Sequence, residues 1–461
     1  MAQAIAIDES RAINPRATLI MALLSFALIT LDTFMINVAL PHIRTDLDTG
    51  ASGMLWVVNA YTLMFAAVML PAGVLADRLG ASKAFSIGLV GFLLAAIACA
   101  IAPGIGVLIT ARFLLGSSAA MMLPSSMAML RDAFPNPTER ARAIAIWAMG
   151  GAGASATGPL IAGVMLEWGW RYIFLLYIPI CVVMLWMLRG APQSMPTRST
   201  FHLPSQLATT IGMLTLVFGM IRGGTVGFTD PLTISAFGVA VIAFAVFARL
   251  QSTVERPLIP NVVLQSKSAL ASIAVGMAFV ISFYGLIFLL SLYLQDVRAK
   301  SALETGAVFV PMAVVSIGVN AVAARAAERF GLRRVIAFGI LLVAIGLAAI
   351  AAFASSVTPF QLSLLALPLG LGGALAMPVA TAWLVNSVPN DVVGTASGLL
   401  NTCRQACAAM AIAVFGVLVT QSRSFEYGMR ISLVIGVIAL LGAISAVIWS
   451  RSDGDTYRST S

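Results

Sequence analysis

The chain has 461 residues, of which 60% are hydrophobic and only 10% are charged. An ordinary soluble domain carries about 25% charged residues, so the composition excludes that class and indicates an all-α polytopic membrane protein. The formal net charge of +9 does not indicate a nucleic-acid partner, because the basic residues are scattered over short connections between apolar segments.

Apolar segments recur from end to end, and each is long enough to cross about 30 Å of hydrocarbon as a helix of about 20 residues. We predict fourteen spans, so that both termini lie on one side of the membrane. In chain order the predicted spans are 17–40, 53–73, 84–102, 106–130, 142–164, 170–189, 206–222, 232–250, 269–294, 304–324, 334–354, 361–386, 394–420 and 430–450.

The distribution of arginine and lysine predicts the orientation. These residues are concentrated in the termini and in the even-numbered connections, for example Arg78, Lys83 and Arg131. The positive-inside rule therefore places both termini in the cytoplasm. We expect a multi-pass protein of the plasma membrane, which is the inner membrane in a bacterium.

Two connections resemble each other. AGVLADRLGASK, residues 72–83, follows the second span, and AARAAERFGLRR, residues 323–334, follows the tenth, with Gly80 aligned to Gly331. The repeat predicts two parallel six-span halves with the seventh and eighth spans inserted between them. The predicted units are an N-terminal bundle at 1–190, a linker with two additional helices at 191–260, and a C-terminal bundle at 261–461.

The first span contains one carboxylate, Asp32, in the stretch LDTFMINVALP. An ionisable group at such a position normally faces a polar interior rather than lipid. Asp32 lies about 12 Å and Arg112 about 9 Å from the outer end, at 1.5 Å per residue, so the two charges could pair. Burial disfavours the charged carboxylate and a nearby guanidinium favours it, so the balance can be tuned for proton exchange. The alternative is a static pair that only orients helices.

Several polar or aromatic side chains inside predicted spans are candidates for a substrate cavity. Methionine is plentiful, and its adaptable side chain suits a promiscuous pocket, but aromatic and methionine residues are also ordinary filling of membrane helices. For Arg404, cavity lining and interhelical structure remain equal alternatives. The candidates are Asn37, Trp56, Asn59, Phe283, Tyr284, Asn401 and Arg404.

No pattern indicates an enzyme. The sequence contains no glycine-rich phosphate loop, no nucleophile elbow and no HExxH motif, and its two histidines and four cysteines are not arranged as metal ligands. We therefore expect no metal, cofactor or nucleotide, and we expect transport energy to come from an ion gradient.

Seven segments, taken together in their order, resemble the major facilitator superfamily and, more narrowly, its fourteen-span drug:proton antiporter family. The resemblance covers nearly the whole chain, although Phe34 stands where that family usually has threonine. The segments are LDTFMINVALP (31–41), GVLADRLGASK (73–83), RFLLGSSAAMMLP (112–124), GGAGASATGPLIAG (150–163), WRYIFLLYIPI (170–180), LYLQDVRAKSALETG (292–306) and GTASGLLNTCRQACAAM (394–410).

The resemblance implies roles for three groups of residues. Asp32 and Arg112 match positions implicated in proton coupling. The loop after the second span matches a latch between the halves, with Asp132 as a possible partner whose alternative is a solvated loop charge. A third group matches the motif that favours exchange over uniport. The latch residues are Gly73, Asp77, Arg78, Gly80 and Asp132, and the antiporter residues are Gly150, Gly158, Pro159 and Gly163.

The sequence thus predicts a monomeric, proton-coupled secondary exporter of small amphipathic drugs that works in the lipid bilayer by alternating access. Lipophilic cations are the favoured cargo, but Asp32 is the sole acidic residue deep in a predicted span, which weighs against a divalent cation and leaves neutral or singly charged cargo open. An exporter of a single cellular metabolite or lipid-like molecule is the first alternative. A membrane sensor with a transporter fold is the second.

Overall fold

The computed structural model describes residues 14–188, 202–253, 261–389 and 392–450, and these residues are almost entirely helical, without strands. The helix Lys267–Leu292 continues into a π-helical turn at Tyr293–Val297. The helices are α1 (Pro15–Asp46), α2 (Ala51–Leu79), α3 (Ala81–Ala100), α4 (Ile105–Ala133), α5 (Pro137–Leu166), α6 (Arg171–Leu188), α7 (Leu203–Val226), α8 (Pro231–Thr253), α9 (Asn261–Gln265), α10 (Lys267–Leu292), α11 (Ala302–Val308), α12 (Val310–Phe330), α13 (Leu332–Phe353), α14 (Pro359–Leu365), α15 (Leu367–Asn386), α16 (Val393–Gln421) and α17 (Phe425–Trp449).

The prediction of fourteen spans is confirmed for the described part of the chain. Thirteen segments are long and apolar enough to cross a membrane, and α5 supplies the fourteenth as two helical pieces that meet at 45°. The break in α5 lies between Ser155 and Thr157. Pro159 explains it, because proline has no N–H to donate to the carbonyl four residues earlier and its ring clashes with that carbonyl.

The helices form two bundles with a helix pair beside them. In the N-terminal bundle α1 packs on α5, α2 on α4, and α3 on both α4 and α6; in the C-terminal bundle α10 packs on α16 and α17, and α13 on α15 and α17. Helix α8 packs mainly on α7, while α7 also contacts α2 and α16, one helix from each bundle. The inserted pair α7 and α8 therefore lies beside the boundary between the two bundles, which we call the seam. The predicted unit boundaries near 190 and 260 lie outside the described residues.

The backbone supports the internal repeat. Gly80, which joins α2 to α3, has φ 85° and ψ 140°, and Gly331, which joins α12 to α13, has φ 89° and ψ 141°. A positive φ of this kind strains residues with a Cβ, so glycine suits both positions. The two connections share one backbone conformation as well as one sequence pattern.

The two bundles meet at the end that carries the α1–α2 connection. Arg44 donates hydrogen bonds to both carboxylate oxygens of Asp296, at 3.1 and 2.9 Å. The side-chain amide of Gln295 donates to the carbonyl oxygen of Val38 at 3.0 Å. At the same end α5 packs closely on α11, where a Cβ on Gly163 would lie 2.7 Å from the Cα of Leu303. These contacts hold this end of the molecule together.

Candidate functional site

Asp32 and Arg112 form an ion pair in the middle of the N-terminal bundle, as their predicted depths indicated. One guanidinium nitrogen, Nη1 of Arg112, donates to both carboxylate oxygens of Asp32, at 2.6 and 2.5 Å. Both side chains have a solvent exposure of 0%. A pair buried so completely is strongly sensitive to the loss of either partner, because the remaining charge would be left uncompensated.

Helix α2 holds the guanidinium in place. Arg112 donates from Nε to the carbonyl oxygen of Val57 at 2.9 Å, and its guanidinium lies 4.6 Å from the ring centre of Tyr61. The Tyr61 hydroxyl in turn donates to the carbonyl oxygen of Ile29 on α1, at 3.1 Å. A cation over an aromatic face is stabilised by the ring quadrupole, so Tyr61 supports Arg112 and ties α2 to α1.

Two donors near the pair have no standard hydrogen bond to any residue that the structure describes. One is Nη2 of Arg112 and the other is the Tyr177 hydroxyl. Tyr177 is fully buried and interacts electrostatically with Asp32. A buried donor is costly to leave unpaired, and the Asp32 carboxylate is the acceptor available to the Tyr177 hydroxyl.

This arrangement can switch between two states. With Asp32 ionised, the pair is neutral as a whole and locks α1 to α4; with Asp32 protonated, Arg112 loses its counter-charge. Since neither side chain is accessible here, proton exchange with water requires a different arrangement of the helices. Coupling of protonation to conformation is thus chemically available at this site.

An aromatic cluster joins the bundles beside the ion pair. The Phe34 ring on α1 lies 5.0 Å from the ring of Tyr284 and 5.9 Å from that of Phe283, both on α10. Phe283 also stacks on Phe279, with ring centres 5.1 Å apart. Phe34 therefore packs at the seam two residues from Asp32, and two of the predicted cavity residues lie against it.

The other predicted cavity residues of the N-terminal bundle are distributed differently. Asn37 and Asn59 are buried, and each side-chain amide donates to the carbonyl one turn earlier, at 2.8 and 2.9 Å. Their side-chain oxygens have no hydrogen-bond partner among the described residues. Trp56 is separate from this group, because its ring lies 6.0 Å from both Phe113 of α4 and Phe218 of α7.

Arg404 and Asn401, the predicted residues of α16, are half-buried and lie one turn apart. The stem of Arg404 lies against α10, where a Cβ on Gly276 would be 3.3 Å from its Cγ and Cδ. Arg404 also interacts electrostatically with Tyr284. Arg404 is thus on the side of α16 that faces α10.

The antiporter motif lies between α1 and α11. A Cβ on Gly150 would be 2.6 Å from the carbonyl oxygen of Leu23, and one on Gly158 would be 3.1 Å from the Cβ of Phe34. On the opposite side, α11 approaches so closely that a Cβ on Gly306 would collide with the carbonyl of Pro159. The small residues therefore permit close packing on both faces of α5, while a role in exchange stays a prediction.

The latch also stays a prediction. Gly73 and Arg78 lie in the last two turns of α2, while the side chain of Asp77 lies outside the described residues. Asp132 is 3.7 Å from its sequence neighbour Arg131, and these side chains are 32% and 62% exposed. That geometry is typical of a solvated pair at a helix end.

Sequence reasoning missed the roles of Tyr61 and Tyr177 around the ion pair, and the ion pair between Arg44 and Asp296. Tyr177 lies in WRYIFLLYIPI, one of the segments that carry the family resemblance, but the sequence did not connect it with Asp32. The other contacts depend on helices distant in sequence and gave no local signal.

Residues 22–412 match the profile of the Major Facilitator Superfamily. The chain therefore belongs to this family of multi-pass membrane transporters, which bind small substrates, typically act as monomers and are not enzymes. It is 33% identical to the methylenomycin A resistance protein of Streptomyces coelicolor over 432 residues, 91% of this chain and 89% of that protein. It is 32% identical to the multidrug resistance protein Stp of Mycobacterium tuberculosis, over 87% of this chain and 75% of that protein.

A third relative is the multidrug efflux pump LfrA of Mycolicibacterium smegmatis, 32% identical over 85% of this chain and 78% of that protein. Among solved structures, the fold is similar to that of a POT family transporter in complex with 5-aminolevulinic acid. The TM-score is 0.72 at 13% identity, over 95% of this chain and 97% of that one. At this identity the likeness shows the fold alone.

Proposed function

We propose that the protein is a proton-coupled exporter of amphipathic drugs in the bacterial inner membrane, with both termini in the cytoplasm, and that Asp32 is its proton site. The observation that supports proton coupling is the ion pair between Asp32 and Arg112, which is completely buried in the core of a bundle. An ionisable residue at membrane depth is by default a functional one. The drug-resistance and efflux relatives support the cargo class.

The proposed cycle uses the two states of the ion pair. In the state with the α1–α2 ends joined, Asp32 is ionised and paired with Arg112. In this proposal the joined end faces outside, because basic residues are concentrated in the connections at the opposite end. Its opening exposes Asp32 to external protons. Protonation removes the counter-charge of Arg112 and favours the state that releases cargo, and loss of the proton inside resets the pair. Each ligand shifts the equilibrium only by its different affinity for the two states.

A lipophilic cation remains the cargo predicted from sequence. In this conformation Asp32 is engaged with Arg112 and offers a cation no free carboxylate. The first alternative is an exporter of one metabolite or lipid-like molecule, which would transport a single cargo rather than several amphipathic drugs. A sensor would show no cargo-driven proton movement.

The test is transport by the purified protein in liposomes with a pH gradient and a panel of amphipathic dyes. We expect several dyes to accumulate against their gradients with wild-type protein and none with Asp32→Asn. Asp48→Asn is the matched control, because Asp48 is an exposed carboxylate just after α1. Full gradient-driven transport by Asp32→Asn would refute the proposal, and transport of one dye alone would favour the narrower cargo.

A further inference from the structure

Arg404 is a half-buried cation well inside the α16 span, and the residues that the structure describes give it no counter-charge. It lies eleven residues after Val393, where α16 begins, which is about 16 Å along the helix axis. Its guanidinium has no hydrogen bond or ion pair to another residue among those the structure describes. Of the acidic residues described within the spans, Asp32 alone lies far from a helix end, and it is paired with Arg112.

Arg404 lies on α16 beside α10, and both of these helices also pack on the N-terminal bundle, α16 on α2 and α10 on α1. Its stem runs along α10 at Gly276, and it interacts electrostatically with Tyr284. Tyr284 in turn contacts Phe34 of the other bundle. Arg404 therefore stands on helices that form the boundary between the two halves, which is where an alternating-access transporter binds its cargo.

Two further polar side chains lie within one turn of Arg404. Asn401 and Gln405 are half-buried, and their spacing of three and one residues from Arg404 puts all three on one side of α16. An amide donor can complement a guanidinium in binding a carboxylate, since both donate N–H groups. The three side chains form one surface on α16, which we call the α16 polar surface.

We propose that the α16 polar surface, Asn401, Arg404 and Gln405, is an anion-binding subsite, and that the preferred cargo is an amphipathic molecule with a carboxylate group. The proposal rests on the proposed export function and names an anion in place of the lipophilic cation predicted from sequence. A charge-assisted hydrogen bond to Arg404 would stabilise an anion, whereas the same guanidinium would repel a cation in a site shielded from water. The aromatic cluster of Phe34, Phe283 and Tyr284 lies beside it and suits the apolar part of such a molecule.

Equilibrium binding tests the subsite without any gradient. The probes are three dansyl fluorophores with the same alkyl chain, ending in a carboxylate, a carboxamide or a trimethylammonium group. We expect wild-type protein in detergent to bind the carboxylate at least about tenfold more tightly than the ammonium probe. Arg404→Gln should abolish that preference with carboxamide binding unchanged, and Arg404→Lys should retain part of it. Arg325→Gln, at an exposed arginine of α12, should leave the preference intact.

The subsite is wrong if wild-type protein prefers the ammonium probe, or if Arg404→Gln keeps the wild-type preference for the carboxylate probe. It is also wrong if Arg404→Gln binds all three probes equally more weakly, because that result indicates a structural role for Arg404. Asp32→Asn separates the two proposals. It should keep the carboxylate preference in this assay while losing gradient-driven transport, so either proposal can fail alone.

Discussion

Arg44 and Asp296 form a two-point ion pair that joins the last turns of α1 to the π-helical turn after α10. The pair bridges the two bundles, and its side chains are 39% and 23% exposed. A contact of this kind must break when the α1–α2 end opens. It therefore contributes to the equilibrium between the two transport states rather than to the stability of either bundle alone.

We predict that Arg44→Ala and Asp296→Ala each increase the population with this end open. Exposed ion pairs contribute about 0.2–1 kcal/mol, so the population ratio should change by up to about fivefold. Distances between spin labels on the α1–α2 and α10–α11 connections would measure the change. The charge-exchanged variant Arg44→Asp/Asp296→Arg should restore the wild-type distribution; if it behaves like the single variants, the pair is not a gate contact.

Substitutions at two glycines of α5 can distinguish packing within the N-terminal bundle from packing between the two bundles. Gly163→Ala would force a Cβ toward Leu303 of the other bundle, and Gly150→Ala would force one toward Leu23 of the same bundle. Overpacking typically costs about 1–3 kcal/mol. Gly163→Ala should therefore favour the open end in label distances, and Gly150→Ala should lower the thermal midpoint without moving the labels.

Gly153 supplies the matched control on the same helix, because a Cβ there has no atom within 4 Å. Gly153→Ala should leave both the label distances and the thermal midpoint near wild type. Equal effects of all three alanine variants would show that helix propensity, rather than close approach, dominates.

The buried ion pair predicts non-additive stability. Removing one partner of such a pair typically costs about 3–5 kcal/mol, whereas replacing both partners with apolar or neutral groups costs much less. Arg112→Met should thus lower the thermal midpoint strongly, and Asp32→Asn/Arg112→Met should recover part of the loss. Thermal unfolding in detergent measures both. Additive losses would contradict a direct energetic coupling between Asp32 and Arg112.

A pH-dependent cap starts α8. Arg222 donates from Nε to Asp230 at 2.8 Å, and Asp230 accepts from the backbone N–H of Thr233 at 3.0 Å. The hydrogen bond from Arg222 is the main cause that holds the pKa of Asp230 below its ordinary value. The stabilisation is then present above the unfolded pKa of about 3.9 and is lost as the pH falls through the lower folded pKa.

Asp230→Asn should therefore increase hydrogen exchange in the first turn of α8 at neutral pH, and the difference from wild type should shrink below about pH 3.9. Comparison of the two proteins at each pH, by mass spectrometry, would show it. A difference that does not depend on pH would mean that the carboxylate charge has no role in the cap.

The sequence predicted the spans well because their signal is local. Apolar length placed them, and Pro159 accounted for the bend in α5. Helix ends were less predictable: α1 was expected to end near residue 40 but continues to Asp46. The extra turns contain Arg44 and Asp46, whose partners, Asp296 and Arg171, lie on other elements.

The sequence predicted a contact within the site where the position of each residue along its helix was enough to decide it. Asp32 and Arg112 had similar depths in neighbouring helices, and the structure pairs them. The contact of Arg112 with the Tyr61 ring was not predictable, since it depends on the rotation of α2 about its own axis. Arg404 had equal alternatives in the sequence; its stem lies against α10 at Gly276, and cavity lining stays a prediction.

The most direct test of proton coupling compares two assays on Asp32→Asn in liposomes. Counterflow exchanges labelled for unlabelled cargo without net proton movement, whereas uphill transport requires the pH gradient. If Asp32 is the proton site, Asp32→Asn should retain counterflow and lose uphill transport. Uphill transport at the wild-type rate in Asp32→Asn, with unchanged dependence on external pH, would contradict the account.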